Sequence, residues 1–233
     1  MEKLVEYHNL FSSVYLNKKV LITGHSGFKG SWLNLWLVKM GATVEGLSLE
    51  SKTKPNHIAL LNQEVRADII DINDYEKVKS KIESFSPDII FHLAAQPLVR
   101  YSYANPFETF STNIMGTAHL LEASKHISNL KAIVVITTDK CYENKESIWS
   151  YRETDHLGGY DPYSASKACA EIITSCYRNS FFNIDQFNTQ HSTLIATARA
   201  GNVIGGGDWA EDRLIPDILT AFEKSESVII RNP

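Results

Sequence analysis

Val20-Leu21-Ile22-Thr23-Gly24-His25-Ser26-Gly27-Phe28-Lys29-Gly30-Ser31-Trp32-Leu33 joins one apolar run to another through three glycines spaced G-x-x-G-x-x-G. Strand, glycine turn, helix is the order that a phosphate cradle needs. A turn this tight favours Gly24, and an approaching pyrophosphate leaves no room for a side chain at Gly27. At Gly30 the helix must pack closely on the strand. The N–H groups and positive dipole end of the following helix then face the anion. Taken alone, the pattern also fits a tight strand-to-helix turn with no ligand.

Composition narrows the classes. With 233 residues, 43% hydrophobic and 10% aromatic, the chain can bury a large core as one α/β domain, with the start of another. A net charge of -4 and dispersed basic residues predict no nucleic-acid partner and no anionic membrane surface. No apolar run approaches the roughly 18 residues of a membrane span. Cys141, Cys169 and Cys176 form no C-x-x-C pair, which fits a reducing cytoplasm and small apolar side chains in the interior. The histidines lack H-E-x-x-H spacing, so no metal site is expected. Residues 1–18 mix Leu4, Val5, Phe11, Val14 and Tyr15 with polar residues, without a secretory pattern, and read as a lead-in packed on the domain.

Beyond the glycines, Trp32, Leu33, Leu35, Trp36, Leu37 and Met40 predict an interior helix stopped by Gly41. A second strand is expected over residues 43–49. An acidic residue at its end often holds the adenosine ribose; here Ser48 takes that place, with Lys52 and Lys54 nearby, so cofactor choice stays open. Residues 64–68 predict a third strand, followed by a helix capped by Asn73 or Asp74 with Tyr75, Val78, Ile82 and Phe85 on one face. Asp68 is either an acceptor for the adenine amino group or an ordinary loop carboxylate. A fourth strand over 88–93 runs into Ala94-Ala95-Gln96, whose small residues admit a flat ring at a strand's carboxyl end.

A helical region is expected over 106–124, with Asn113 either a satisfied core amide or an active-site relay. The fifth strand, 132–137, ends in Thr138-Asp139-Lys140, and Asp161-Pro162 starts a helix. That helix sets Tyr163 and Lys167 on one face. Tyr titrates near 10, so a phenolate at neutral pH needs a cation beside it, which Lys167 can supply while Thr138 aligns a substrate alcohol. The sixth strand (192–199), a four-glycine loop (201–209), a helix (214–224) and a last strand (227–231) complete an α/β, doubly wound, Rossmann-like parallel sheet with the start of a second, C-terminal lobe.

Thr23 to Trp32, Thr137-Thr138-Asp139-Lys140-Cys141-Tyr142, Tyr163-Ser164-Ala165-Ser166-Lys167 and Arg199 to Trp209 together resemble the extended short-chain dehydrogenase/reductases, the NAD-dependent epimerase/dehydratase family, and within it the CDP-glucose 4,6-dehydratases. The resemblance runs from about Lys19 to the C-terminus. It implies a cytoplasmic hydro-lyase that oxidises a nucleotide-sugar at C4 with NAD, loses water across C5 and C6, and returns hydride to C6. Tyr163 takes the 4-hydroxyl proton, Thr138 orients it, and Asp139 is the acid for the departing 6-hydroxyl. Lys140, where related dTDP-glucose enzymes carry Glu, is either the C5 base, which burial or a neighbouring cation would enable, or an electrostatic group.

The same resemblance implies NAD held by Gly24, Ser26, Gly27, Phe28 and Gly30, by Asp68 and Ile69, by Leu93, Ala94 and Ala95, and by Asn113, Tyr163 and Lys167. It implies substrate contacts at Gln96, Arg100, Tyr103, Arg199, Asn202 and Arg213. Residues 1–190 would be the NAD-binding domain and 191–233 the last strand and the start of a truncated nucleotide-sugar lobe, in a homo-oligomer. A 4-epimerase or reductase would have no use for Asp139 as an acid; a non-catalytic NAD sensor would be expected to lose Thr138, Tyr163 or Lys167.

Overall fold

The computed structural model describes residues 6–51, 53–61 and 65–230. Leu4, Val5, Lys52, Glu64 and Arg231 lie outside the described residues. Six strands, β1 (Lys19–Thr23), β2 (Thr43–Ser48), β3 (Arg66–Ile69), β4 (Ile89–His92), β5 (Ala132–Ile136) and β6 (Leu194–Ala198), form one sheet. Its order is β3-β2-β1-β4-β5-β6, every neighbour parallel. The helices are α1 (Phe28–Lys39), α2 (His57–Leu60), α3 (Tyr75–Phe85), α4 (Val99–Ala104), α5 (Pro106–Phe110), α6 (Gly116–Ser124), α7 (Pro162–Ser180) and α8 (Leu214–Glu223).

Alternation along the strands divides the core. Val20 and Ile22 of β1 join Leu37, Met40, Val44 and Ile89 beneath α1. Leu21, pointing the other way, joins Leu47, Ile90, Ile133 and the faces of α3 and α6. Because chain order reverses between β1 and β4, their carboxyl ends open a crevice, with Thr23 paired to His92 at its floor.

Three expectations are corrected. Helix α1 is not an interior helix: Ser31, Asn34 and Leu37 face inward, whereas Trp32 and Trp36 remain 44% and 42% exposed. Those rings pack sideways instead, Trp36 against Phe11 and Trp32 against His57. Residues 227–230 have no strand partner among the described residues and stay irregular, with Ile229 79% exposed. Cys141 is a buried apolar side chain as expected, but Cys176 is exposed on the outer face of α7. The helical region 106–124 is continuous as expected, with a π-helical turn, Ser111–Met115, in its middle where Asn113 is buried.

Candidate active site

The glycine turn divides its labour. Gly24 has φ +72°, and a Cβ there would lie 2.8 Å from the Ala94 amide nitrogen, so β1 and the end of β4 touch through bare backbone. A Cβ at Gly30 would meet the Gly24 carbonyl at 2.2 Å. Its close packing is therefore onto the turn rather than onto the strand. Gly27 differs, because a Cβ there would meet only the Gly24 carbonyl, at 3.4 Å. The space beside it is open, and no side chain caps the start of α1. An unfilled cradle facing first-turn N–H groups fits a dinucleotide pyrophosphate. Phe28 opens that helix, while Ser26 is tied to β2 by a 2.8 Å hydrogen bond from the Ser48 hydroxyl. Ser48 thus braces the turn.

Asp68 and Ile69 end β3. Lys81 of α3, with a 4% exposed side chain, bridges Asp68 Oδ2 and Glu45 Oε2, each at 2.6 Å. The Lys81 hydrogen bond holds the Asp68 carboxyl below its ordinary range. The Asp68 side chain is still 48% exposed, and Ile69 is 68% exposed. The sequence signal for Lys81 was a lysine falling on the apolar face marked by Val78, Ile82 and Phe85.

At the end of β4 a relay of hydroxyls fixes the backbone. The Leu93 and Ala94 amides donate to Thr23 Oγ1 at 3.2 and 3.1 Å, and Thr23 Oγ1 lies 2.7 Å from His92 Nδ1. His92 Nε2 lies 3.1 Å from Thr117 Oγ1, which itself donates to the Asn113 carbonyl. With the Thr117 proton so committed, His92 donates at Nε2 and accepts at Nδ1, a neutral ring. Burial pushes its pKa down to about 3.

Asn113 accepts from the Gln96 amide at 2.8 Å and donates to the Gln96 carbonyl at 3.1 Å and to Ser166 Oγ at 2.8 Å. It is a satisfied buried amide that joins β4 to α7. The Gln96 side chain is occupied too: Oε1 accepts from the Leu98 amide and Nε2 donates to Thr109. Gln96 is buried and braces residues 96–98, in place of the expected free substrate contact.

Thr138, Tyr163 and Lys167 come together at the carboxyl end of β5. Thr138 Oγ1 donates to Asp139 Oδ1 at 3.1 Å and accepts from the Lys140 amide. The Tyr163 backbone is held by Ser102 Oγ at its amide and by Ser166 Oγ at its carbonyl. Burial raises the Tyr163 phenol pKa, and the Thr138 hydrogen bond and the Arg213 charge oppose that rise. Lys167 was expected to supply the cation beside the phenol. Its buried ammonium donates instead to the Ile136 carbonyl of β5, at 3.2 Å. Burial and the Lys29 charge bring Lys167 down to about 8, with Glu171 opposing. Lys29, on the first turn of α1, is itself lowered by dehydration and by Arg213. Sequence reasoning passed over Lys29 and Glu171. Asp139 and Lys140 are exposed at the mouth, so the burial that would make Lys140 a base is not met.

The remaining substrate candidates separate. Asn202 and Tyr103 are exposed. Arg213 caps the start of α8 without a side-chain cap bond, and Arg100 holds the adjacent Asp212 at 2.6 Å. Arg199 is committed elsewhere: it donates to Glu171 at 2.9 Å and to the Glu153 carbonyl, and lies 4.8 Å from the centre of the Tyr142 ring. A half-buried arginine prefers the buried carboxylate within reach, so phosphate recognition by Arg199 would require that ion pair to open. The glycine loop crosses back over α1, where Trp32 Nε1 donates to the Gly206 carbonyl at 2.8 Å and Gly205 packs on Phe28. Beside it runs an apolar groove of about 390 Å³ lined by Phe28, Trp32, Leu33, Trp36, Val203 and Ile204. A larger groove, about 490 Å³, lies between residues 125–128 and 188–193 and contains none of these side chains.

Residues 21–196 match a family described as GDP-mannose 4,6 dehydratase. The CDP-glucose 4,6-dehydratase of Salmonella typhimurium is 58% identical over 218 residues, which cover 93% of this chain and 60% of that protein. The CDP-paratose 2-epimerase of Salmonella typhi is 32% identical, over 76% of this chain and 57% of its own length. The chain thus spans about three fifths of the curated relatives' length. Among solved structures, a Thermus thermophilus UDP-glucose 4-epimerase in complex with NAD aligns with TM-score 0.69 and 27% identity, covering 83% of this chain and 58% of that one. A Streptomyces venezuelae dTDP-glucose 4,6-dehydratase with NAD bound aligns with TM-score 0.76 and 24% identity, over 90% and 63%, a likeness of fold.

Proposed function

This chain belongs to the GDP-mannose 4,6 dehydratase family, and from that premise we propose that it carries the NAD-binding and catalytic half of a CDP-glucose 4,6-dehydratase acting in the cytoplasm. The observation that carries the reading is the convergence of Thr138, Tyr163 and Lys167 at the carboxyl end of β5, with Asp139 hydrogen-bonded to Thr138. The 58% identity to the Salmonella enzyme supports the choice of substrate. NAD, when bound at the open glycine cradle, supplies the hydride acceptor for C4 and the hydride returned to C6.

The chain's own residues handle protons and position. Thr138 aligns the sugar 4-hydroxyl, and Tyr163 removes its proton as phenolate. Burial disfavours that phenolate, so the Arg213 charge is needed to make it accessible near neutral pH. Once the 4-ketone has acidified C5–H, that proton passes to solvent at the open mouth while Asp139, exposed there, delivers a proton to the departing 6-hydroxyl. Lys140 beside it serves as an electrostatic group for the enolate. Asn202 and Arg213 face the nucleotide-sugar from the loop that follows β6. The exposed apolar residues Phe107, Met115 and Ile172 support a homo-oligomer formed through α5 to α7.

The test is incubation with CDP-glucose and NAD, followed by mass spectrometry for loss of one water and by absorbance of the 4-keto product in alkali. Turnover by the wild type and none by Asp139→Asn is the expected outcome. Sugar isomerisation without water loss would replace this reading with a 4-epimerase, the activity named for the Thermus structure.

A further inference from the structure

We propose that Glu171 is a positioning residue of this site: its buried carboxylate, one helical turn beyond Lys167, ties the carboxyl ends of β5 and β6 to α7 and so sets Thr138 and Lys167. The proposal rests on the reading above of Thr138, Tyr163 and Lys167 as the reacting constellation.

Glu171 is 5% exposed and saturated with donors. One oxygen accepts the Thr137 hydroxyl; the other accepts Thr197 Oγ1 at 2.8 Å and Arg199 Nη2 at 2.9 Å. Thr137 is the residue immediately before Thr138. Its side chain pulls inward to α7 while the next residue presents its hydroxyl to Tyr163, so the Glu171 bond fixes the strand end from which Thr138 works. Thr197 and Arg199 fix the neighbouring strand in the same way, and the Asp139 amide donates across to the Ala200 carbonyl at 3.0 Å. One carboxylate therefore sets the separation of the two strand ends that flank the mouth.

A buried ion pair is a weak means of stabilisation, since apolar residues of similar volume often do as well. Its charge has a further use here. Lys167 is faced by Lys29 from α1, by neutral His92 from β4 and by Glu171 from its own helix, and Glu171 is the group that favours its charged form. Glu171 itself is faced by Arg199 after β6 and by Cys141 after β5, whose thiol burial pushes up to about 11, leaving it neutral.

Two variants separate the charge from the strand contact: Glu171→Gln keeps the shape without the charge, and Thr137→Val keeps the charge without one donor. The first readout needs no substrate: the Lys167 and Tyr163 titrations, followed by NMR in the ¹³C-labelled full chain. Glu171→Gln is expected to lower the Lys167 midpoint from about 8 by about one pH unit. Thr137→Val is expected to leave Lys167 in place and move Tyr163 upward, because its Thr138 hydrogen bond loosens. The second readout is turnover of CDP-glucose. There the alkaline limb of kcat should shift downward in Glu171→Gln, and kcat should fall about tenfold at unchanged KM for NAD in Thr137→Val. An unmoved Lys167 midpoint in folded Glu171→Gln overturns the proposal, as does an unmoved Tyr163 midpoint in Thr137→Val. The latter decides alone if Glu171→Gln does not fold. Absence of turnover in the wild type refutes the functional reading and leaves both titrations to judge Glu171.

Discussion

Asn113 and Ser166, 53 residues apart, meet through a 2.8 Å hydrogen bond from the amide Nδ2 to the hydroxyl, which in turn donates to the Tyr163 carbonyl at 2.6 Å. The end of β4 and the tyrosine are thereby parts of one polar network. Asn113→Ala would leave the buried Gln96 amide and carbonyl without their partner. We expect a loss of about 2–4 kcal/mol in urea unfolding, the cost of buried polar groups left unmade. A change below about 0.5 kcal/mol, the range of an ordinary surface substitution, would mean that the amide does not hold this network.

Gly24 and Gly27 should separate fold from binding. Gly27 has φ -73° and an open flank, so alanine is conformationally acceptable there, but its methyl occupies the cradle. Gly27→Ala is expected to keep the wild-type Tm and lose at least about tenfold in NAD affinity by calorimetry, a cost of about 1.4 kcal/mol. Gly24→Ala, at φ +72° and in collision with Ala94, should lower both. Equal NAD affinity in Gly27→Ala and wild type would place the pyrophosphate elsewhere.

His92 predicts an acid-sensitive fold. Its folded pKa is about 3 against an ordinary 6.5, so the unfolded chain takes up a proton that the folded chain refuses. The stabilisation is complete above about pH 6.5 and declines as pH falls toward 3, by roughly 1.4 kcal/mol per pH unit from this residue. Melting temperatures from pH 7 to 4 should fall less steeply in His92→Gln than in wild type. Parallel slopes would show that His92 does not govern this range.

Arg213 should appear in the pH dependence of turnover. Its charge lowers the Tyr163 pKa, and the base is active as phenolate, above that pKa. Removing the charge in Arg213→Met raises the pKa and moves the acidic limb of kcat to higher pH, whereas Arg213→Lys keeps it near the wild-type position. An unshifted limb in Arg213→Met would leave Lys167 as the cation that matters.

The strands of the parallel sheet and the seats of Gly24, Thr138 and Tyr163 were legible because they follow from local rules: apolar runs, glycine spacing, and an i, i+4 pair on one helix. The side-chain engagements of Arg199 and Gln96 were not, since each depends on a neighbour distant in sequence, Glu171 for one and Thr109 for the other. An isolated Arg reads the same whether it grips a phosphate or a carboxylate. The mistaken interior placement of α1 has another cause. Counting apolar residues cannot tell a buried helix from one whose tryptophans lean sideways onto Phe11 and His57.

Trp32 and Gly206 are 174 residues apart and share a hydrogen bond. The loop after β6, which we propose meets the sugar nucleotide, is thereby latched onto the first turns of α1, the helix proposed to face the cofactor. Whatever seats or lifts that loop also pulls on the pyrophosphate cradle. By thermodynamic reciprocity, any ligand that tightens one must tighten the grip on the other by the same factor. The two affinities would then rise and fall together. Such an arrangement suits a cycle in which the redox partner ends in its starting state and gains nothing by exchanging between turnovers.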